Sequence, residues 1–180
     1  LQDSRDSGGE VFPDVEDILK LRNPAEKFAQ LAAHPHPQAQ FLWAIFRDVF
    51  HYCAVHLADI ADNARDIDLA MRWGFGWAQG PFETWQAAGW ADIAQAIAAD
   101  IAAGKSMTNT PLPAWLLENG RQGVHGSAGS YSARRNTYAA RSTLPVYQRQ
   151  LFPERVLGDV GLRPEHAGET LYENDGVRLW

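Results

Sequence analysis

A single cysteine, Cys53, leaves no partner for an intrachain disulfide. The fold must therefore be held by packing, and a reducing compartment is favoured. No run of about 18 apolar residues occurs, so no membrane-spanning helix is expected. The N-terminal residues lack a basic segment followed by an apolar core, so no signal peptide is visible and a cytoplasmic location is expected. Positive charge is in short supply: 16 Lys and Arg stand against 22 Asp and Glu, a formal net charge of −6. No global field draws nucleic acid or anionic membranes to such a surface. Phosphate-cradling loops are missing too. Gly74-Phe-Gly76 followed by Gly80 is one residue too long for the dinucleotide pattern G-x-G-x-x-G, and it follows a helical segment where that pattern needs a strand. Neither the G-x-x-x-x-G-K-[ST] loop nor the G-x-S-x-G nucleophile elbow is present.

What is there suffices for a domain with a real core: 180 residues, 46% of them hydrophobic. Residues 1–12 are polar and glycine-bearing. A short helix from about Asp14 to Leu21 fits the spacing of Val15, Ile18 and Leu19. Asn23-Pro24-Ala25-Glu26 reads as a capping box with proline at the first helical position, and that helix ends before His34-Pro-His-Pro37. Residues 38–62 form the longest helix. Its apolar stripe is Leu42, Ile45, Val49, Cys53, His56 and Ile60, widened by Phe46, Phe50 and Leu57, with Arg47, Asp48, Asp59 and Asp62 on the wet side. Asn63 and Asp66 cap a helix over 64–73, after which Gly74 suits a left-handed position. Gly80-Pro81 opens the next helix, closed by Gly89. Helix 91–103 stops at Gly104-Lys105, and Pro113–Leu117 is a short helix ended by Gly120. Residues 121–145 turn to Gly, Ser, Arg and Tyr. There Tyr131–Tyr138 reads as a small hairpin turning at Arg135-Asn136. Val146–Phe152 reads as a strand or helical turn. Asn174-Asp-Gly reads as a turn leading into a strand whose partner is not evident, and the chain reads as a fragment of a longer protein.

Few side chains suggest chemistry. His51, Cys53 and His56 resemble a metal set, but His51 and His56 diverge on a helix, so a packed thiol and a satisfied imidazole explain them better. His34 and His36 sit in a proline-rich connector and are read as solvated. Asp66 is a cap. Asp68 and Arg72, four apart, can pair for about 0.3–0.5 kcal/mol if exposed. Glu83, in the first turn after Pro81, gains from the helix dipole and could hold the preceding turn through backbone amides. Arg121, Arg134, Arg135, Arg141, Arg149 and Arg155, with Tyr131, Tyr138 and Tyr147, form a basic arm suited to an acidic neighbouring domain. Trp73, Trp77, Trp85 and Trp90 are expected to knit the two short helices together. No residue is assigned a catalytic, cofactor or metal role.

The stretch from Asp66 through Arg72-Trp-Gly74-Phe-Gly76-Trp, followed by Gly80-Pro81-Phe82-Glu83, resembles the C-terminal helical domain of 3-hydroxyacyl-CoA dehydrogenases. The Ala-Met-Arg-Trp-Gly-Phe form, Pro113-Ala-Trp and the closing Leu171–Trp180 resemble the subgroup fused to an enoyl-CoA hydratase in fatty-acid β-oxidation. The resemblance is specific over about 38–104 and looser beyond. It implies an all-α bundle with an irregular C-terminal arm, divided into a linker with short helices (1–37), the helical domain (38–120) and the arm (121–180). It implies NAD and a catalytic His–Glu pair on a Rossmann domain outside these residues, an acyl-CoA substrate, and a second helical copy or a homodimer as partner. Asp66, Asp68, Arg72, Gly74, Gly76, Gly80, Pro81, Phe82 and Glu83 then mark family motif and domain interface. Where the first helical copy of the family often carries Asn-Arg, this chain reads Ile45-Phe-Arg-Asp48. Where an Asp usually follows Gly-Pro-Phe-Glu, Trp85-Gln86 stands. Both departures fit a second, structural copy that is inactive alone. The competing readings are a helical interaction module and an independent enzyme around His51, Cys53 and His56.

Overall fold

The computed structural model describes residues 11–145 and the backbone of a hairpin at 172–173 and 178–179. Six α-helices come first: α1 (Pro13–Lys20), α2 (Pro24–Ala33), α3 (Pro37–Ile60), α4 (Ala64–Phe75), α5 (Pro81–Ala87) and α6 (Trp90–Ala102). Two 3-10 turns, Ala114–Leu116 and Glu118–Gly120, lead to three short strands: β1 (His125–Gly126), β2 (Gly129–Ser132) and β3 (Thr137–Ala139).

Proline begins four of the helices, where its missing N–H costs nothing. Asn23 caps α2 by accepting from the Ala25 amide at 3.0 Å, but Glu26 does not complete the expected box and instead accepts from Gln30. The box at α4 is complete: Asn63 accepts from the Arg65 amide, and Asp66 accepts from the Asn63 amide. This helix runs two residues further than expected. Gly74 lies inside it, and Gly76, at φ 70°, takes the left-handed position that ends it. The hairpin over 131–138 is present, with Tyr131 opposite Tyr138 and Asn136 at φ 48° in its turn. β1 adds a third antiparallel strand, His125 opposite Ser130. The strand expected at the end of the chain does have a partner: β5 (Arg178–Leu179) pairs antiparallel with β4 (Tyr172–Glu173). The segment Val146–Phe152, with Tyr147, Arg149 and Arg155, lies outside the described residues.

One core joins all of these helices and the three-stranded sheet. Aromatic rings run through it in series. Phe28 of α2 meets Phe46 edge-on at 5.0 Å, Phe50 stacks on Trp85 at 5.5 Å, and Trp85 stacks on Trp90 at 4.5 Å. Trp115 continues the series to Tyr131 at 4.9 Å. Trp85 and Trp90 are buried as expected; Trp73 is 68% exposed and knits nothing among the described residues.

The long helix departs most from expectation. Its buried residues are Ala39, Trp43, Arg47, Phe50, His51, Cys53, Ala54 and Leu57. Ile45 and Ile60, from the expected stripe, are exposed. Arg47, expected on the wet side, is 5% exposed. It donates to both Asp48 oxygens, to Asp100 at 3.1 Å and to the Lys105 carbonyl at 2.8 Å, and Trp43 donates to the same Asp100 oxygen. A guanidinium can be buried when its donors are met in this way. Here it pins α3 to the C-terminal turn of α6.

Candidate functional site

Two features stand out: a buried polar cluster built from the glycine-proline motif, and an open apolar groove. The cluster centres on Asp68, which faces inward from α4 with none of its surface exposed. One carboxylate oxygen accepts from the Phe82 amide at 2.8 Å; the other accepts from His125 Nε2 at 2.5 Å. His125 Nδ1 pairs with Ser130 Oγ at 2.9 Å. Beside them Glu83 accepts from the Gly80 amide at 2.8 Å and faces Arg72 at 3.5 Å. Arg72 therefore reaches Glu83, and the partners found for Asp68 are an amide and an imidazole. Burial pushes the carboxyls of both Asp68 and Glu83 above their usual range, against the donors that favour their charged forms.

Each motif residue has a structural use. Asp66 caps α4. Gly80 stands where a Cβ would lie 2.3 Å from Asp68, so glycine is what lets the two helices close. Pro81 starts α5, and Phe82 is fully buried beneath it. Gly74 has nothing within 4 Å of its missing side chain.

Ser130, His125 and Asp68 are the residue types of a hydrolase triad, but they are joined differently. All three are buried, and the imidazole bonds serine and aspartate through the opposite nitrogens from those used in serine hydrolases. The cluster clasps the sheet to α4 and α5. Gln86 adds to the clasp: its Oε1 accepts from the Val124 and His125 amides, and its Nε2 donates to the His125 carbonyl. Two arginines of the basic arm, Arg121 and Arg134, fold back on the same core. Arg121 lies over the Tyr131 ring at 3.8 Å, and Arg134 donates to the Ala58 carbonyl. Sequence reasoning missed His125, Ser130 and Gln86, which meet partners 57 or 39 positions away, or across a hairpin. The one local signal was the pair of glycines flanking Val124-His125.

The metal-like set does not converge. His51 is buried with Nε2 at 2.7 Å from the Thr110 carbonyl, and His56 lies on Tyr52 with Asp59 3.9 Å away. Burial pushes the Cys53 thiol up to about 12. Among the described residues no three His, Cys, Asp or Glu side chains form a metal-holding group. His34 and His36, expected to be solvated, accept the His36 and Gln38 amides, and Phe12 stacks on His36 at 4.1 Å.

The groove lies between α3 and α4, with a volume of about 780 Å³. Val49, Cys53, Ile67 and Met71 line it together with the exposed Phe41, Ile45, Tyr52, Ile60 and Met107. A smaller cavity of about 290 Å³ shares Asp48, Tyr52 and Met107 with it and adds His51, Val55, His56, Thr108 and Thr110.

A stretch of 106 residues is 31% identical to a probable 3-hydroxyacyl-CoA dehydrogenase of Bacillus subtilis (strain 168), covering 59% of this chain. The chain carries a 3-hydroxyacyl-CoA dehydrogenase-related region. It spans only 12% of that relative's length. No family profile matches the chain, and no solved structure matches it significantly. The dehydrogenase relationship brings NAD into question, and the glycines answer it. Gly80 is taken up by its approach to Asp68, Gly74 lies inside α4, and Gly76 ends that helix. Glu83 already occupies the Gly80 amide. These residues do not fit a dinucleotide phosphate.

Proposed function

We propose that the chain supplies the helical, substrate-side and dimerisation part of an NAD-dependent 3-hydroxyacyl-CoA dehydrogenase of fatty-acid β-oxidation. The intact enzyme would oxidise the 3-hydroxyl of an acyl-CoA to a ketone, with the hydride passing to NAD. The likeness over 106 residues carries this reading. The inward-facing motif supports it: Asp68, Gly80, Phe82 and Glu83 form a hydrogen-bonded joint in which both carboxyls are buried. NAD and the catalytic pair would belong to a Rossmann domain outside these residues, and a second helical copy would be the packing partner. The purified chain should give no turnover of acetoacetyl-CoA with NADH, and activity above background would overturn the structural assignment. The groove favours a second reading, a helical interaction module without any acyl-CoA role. Titration with acetoacetyl-CoA and with a long-chain acyl-CoA separates the two, since only the first reading expects either to bind.

A further inference from the structure

The chain holds three sulfur atoms, on Cys53, Met71 and Met107. Cys53 is 7% exposed, and its thiol, pushed up to about 12 by burial, offers almost no thiolate at neutral pH. Met71 is half-buried on α4 and faces the groove. Met107 is 89% exposed. Its backbone is nonetheless held. Arg47 donates to the Lys105 carbonyl at 2.8 Å, the Met107 amide donates to Asp48 at 3.3 Å, and His51 Nε2 lies 2.7 Å from the Thr110 carbonyl. Three residues of α3 thus strap segment 105–110 down and leave the Met107 side chain room to turn.

That side chain stands between two unlike surroundings, because it lines both the apolar groove and the smaller cavity beside it. The groove presents Ile45 and Val49. The cavity presents His56 and the hydroxyls of Thr108 and Thr110, which lie 3.0 Å apart. Two hydroxyls that share one hydrogen bond have a second hydrogen left to donate. A thioether is a weak acceptor and suits the groove; a sulfoxide is polar and suits the cavity. A peroxide converts the first into the second. The sulfur lone pair attacks one peroxide oxygen, the O–O bond breaks, and an S–O bond forms. With hydrogen peroxide the other oxygen leaves as water, taking the proton that the transferred oxygen gives up. Sulfur loses two electrons and the peroxide gains them. Methionine sulfoxide reductases reverse the change.

We propose that Met107 is a peroxide-sensitive switch at the edge of the groove: its thioether lies on the apolar side, and its sulfoxide turns into the polar cavity to accept from Thr108 or Thr110. This stands apart from the dehydrogenase reading. The test uses the full chain with isotope-labelled methionine methyl groups. Its two methionines give two methyl signals, assigned with Met107→Leu. Under hydrogen peroxide the Met107 signal should convert at least tenfold faster than that of Met71, while circular dichroism stays that of the parent. Nuclear Overhauser contacts of the Met107 methyl should move from Ile45 and Val49 to Thr108, Thr110 and His56. Thr108→Val with Thr110→Val keeps the shape of the cavity and removes its hydroxyls. In that variant Met107 should oxidise at the parent rate, but its methyl should keep the groove contacts. Conversion of Met71 as fast as Met107, or oxygen uptake at Cys53 first, would overturn the proposal. So would loss of helical signal on the first conversion, contacts that do not change on oxidation, or a double valine variant whose oxidised methyl still moves into the cavity.

Discussion

Gly80 has an ordinary φ of −75°, so its missing side chain serves space rather than conformation. A methyl group there would lie 2.3 Å from the Asp68 backbone and side chain. Gly80→Ala should therefore cost about 2–3 kcal/mol by overpacking, read as a lowered urea midpoint; an unchanged midpoint would show that α4 and α5 can part freely. Asp68 and His125 make the complementary case. Each leaves the other's polar atom buried when removed, so Asp68→Ala or His125→Ala should cost about 3–5 kcal/mol, while Ser130→Ala costs about 1 kcal/mol. Glu83 carries a pH signature. Its carboxyl is raised above 4.5 because burial penalises the charge, more than the Gly80 amide and Arg72 favour it. A carboxyl raised on folding lends stability below its unfolded value and loses that contribution as pH rises through the folded one. Glu83→Gln still accepts from Gly80 but cannot ionise. Urea unfolding between pH 4.5 and 7.5 should show the parent losing stability relative to the variant as pH rises, and a pH-independent difference would contradict this.

At the scale of elements, the legible features were those with local causes. Asn23 and Asn63 announced helix starts because a side-chain oxygen two residues from an amide is visible in the chain itself. Asn136 announced the hairpin for the same kind of reason. The orientation of α3 was not legible. Apolar residues occupy most of its circumference, and periodicity cannot say which face meets the core and which faces the groove. Arg47 read as solvated because Asp100, its half-buried partner, lies 53 positions away. The motif Asp68…Gly80-Pro-Phe-Glu was legible as a family mark, while its use as a joint depended on His125, in a stretch with no periodic signal. Gln86 tests how far that joint holds the sheet. Its amide makes three bonds to Val124 and His125, so Gln86→Ala should expose the β1–β3 amides to faster hydrogen exchange while the α3 core amides keep their protection. Equal acceleration in both regions would show that the sheet and the helices open together.

On the scale of the whole molecule, these observations bear on whether the N-terminal helices are accessory. The sequence suggested a linker with short helices over 1–37; Val15, Ile18, Phe28 and Leu31 of α1 and α2 are buried in the same core as α3 to α6. Phe28 touches both Phe46 and Phe50, and Phe50 stacks on Trp85, so a perturbation in α2 is two rings away from the centre of α5. Phe28→Ala should therefore cost about 3–5 kcal/mol, the range for losing a buried aromatic ring. Cooperativity is the sharper consequence. If α1 and α2 belong to one folding unit with the rest, far-ultraviolet dichroism, which reports all helices, and near-ultraviolet dichroism, dominated by the stacked tryptophans, should unfold with one midpoint in both parent and variant. If they form a separable linker, the helical signal in Phe28→Ala would begin to fall at lower urea than the tryptophan signal. The continuous ring series argues for the first outcome, because no break in packing separates α2 from the Trp85–Trp90 pair.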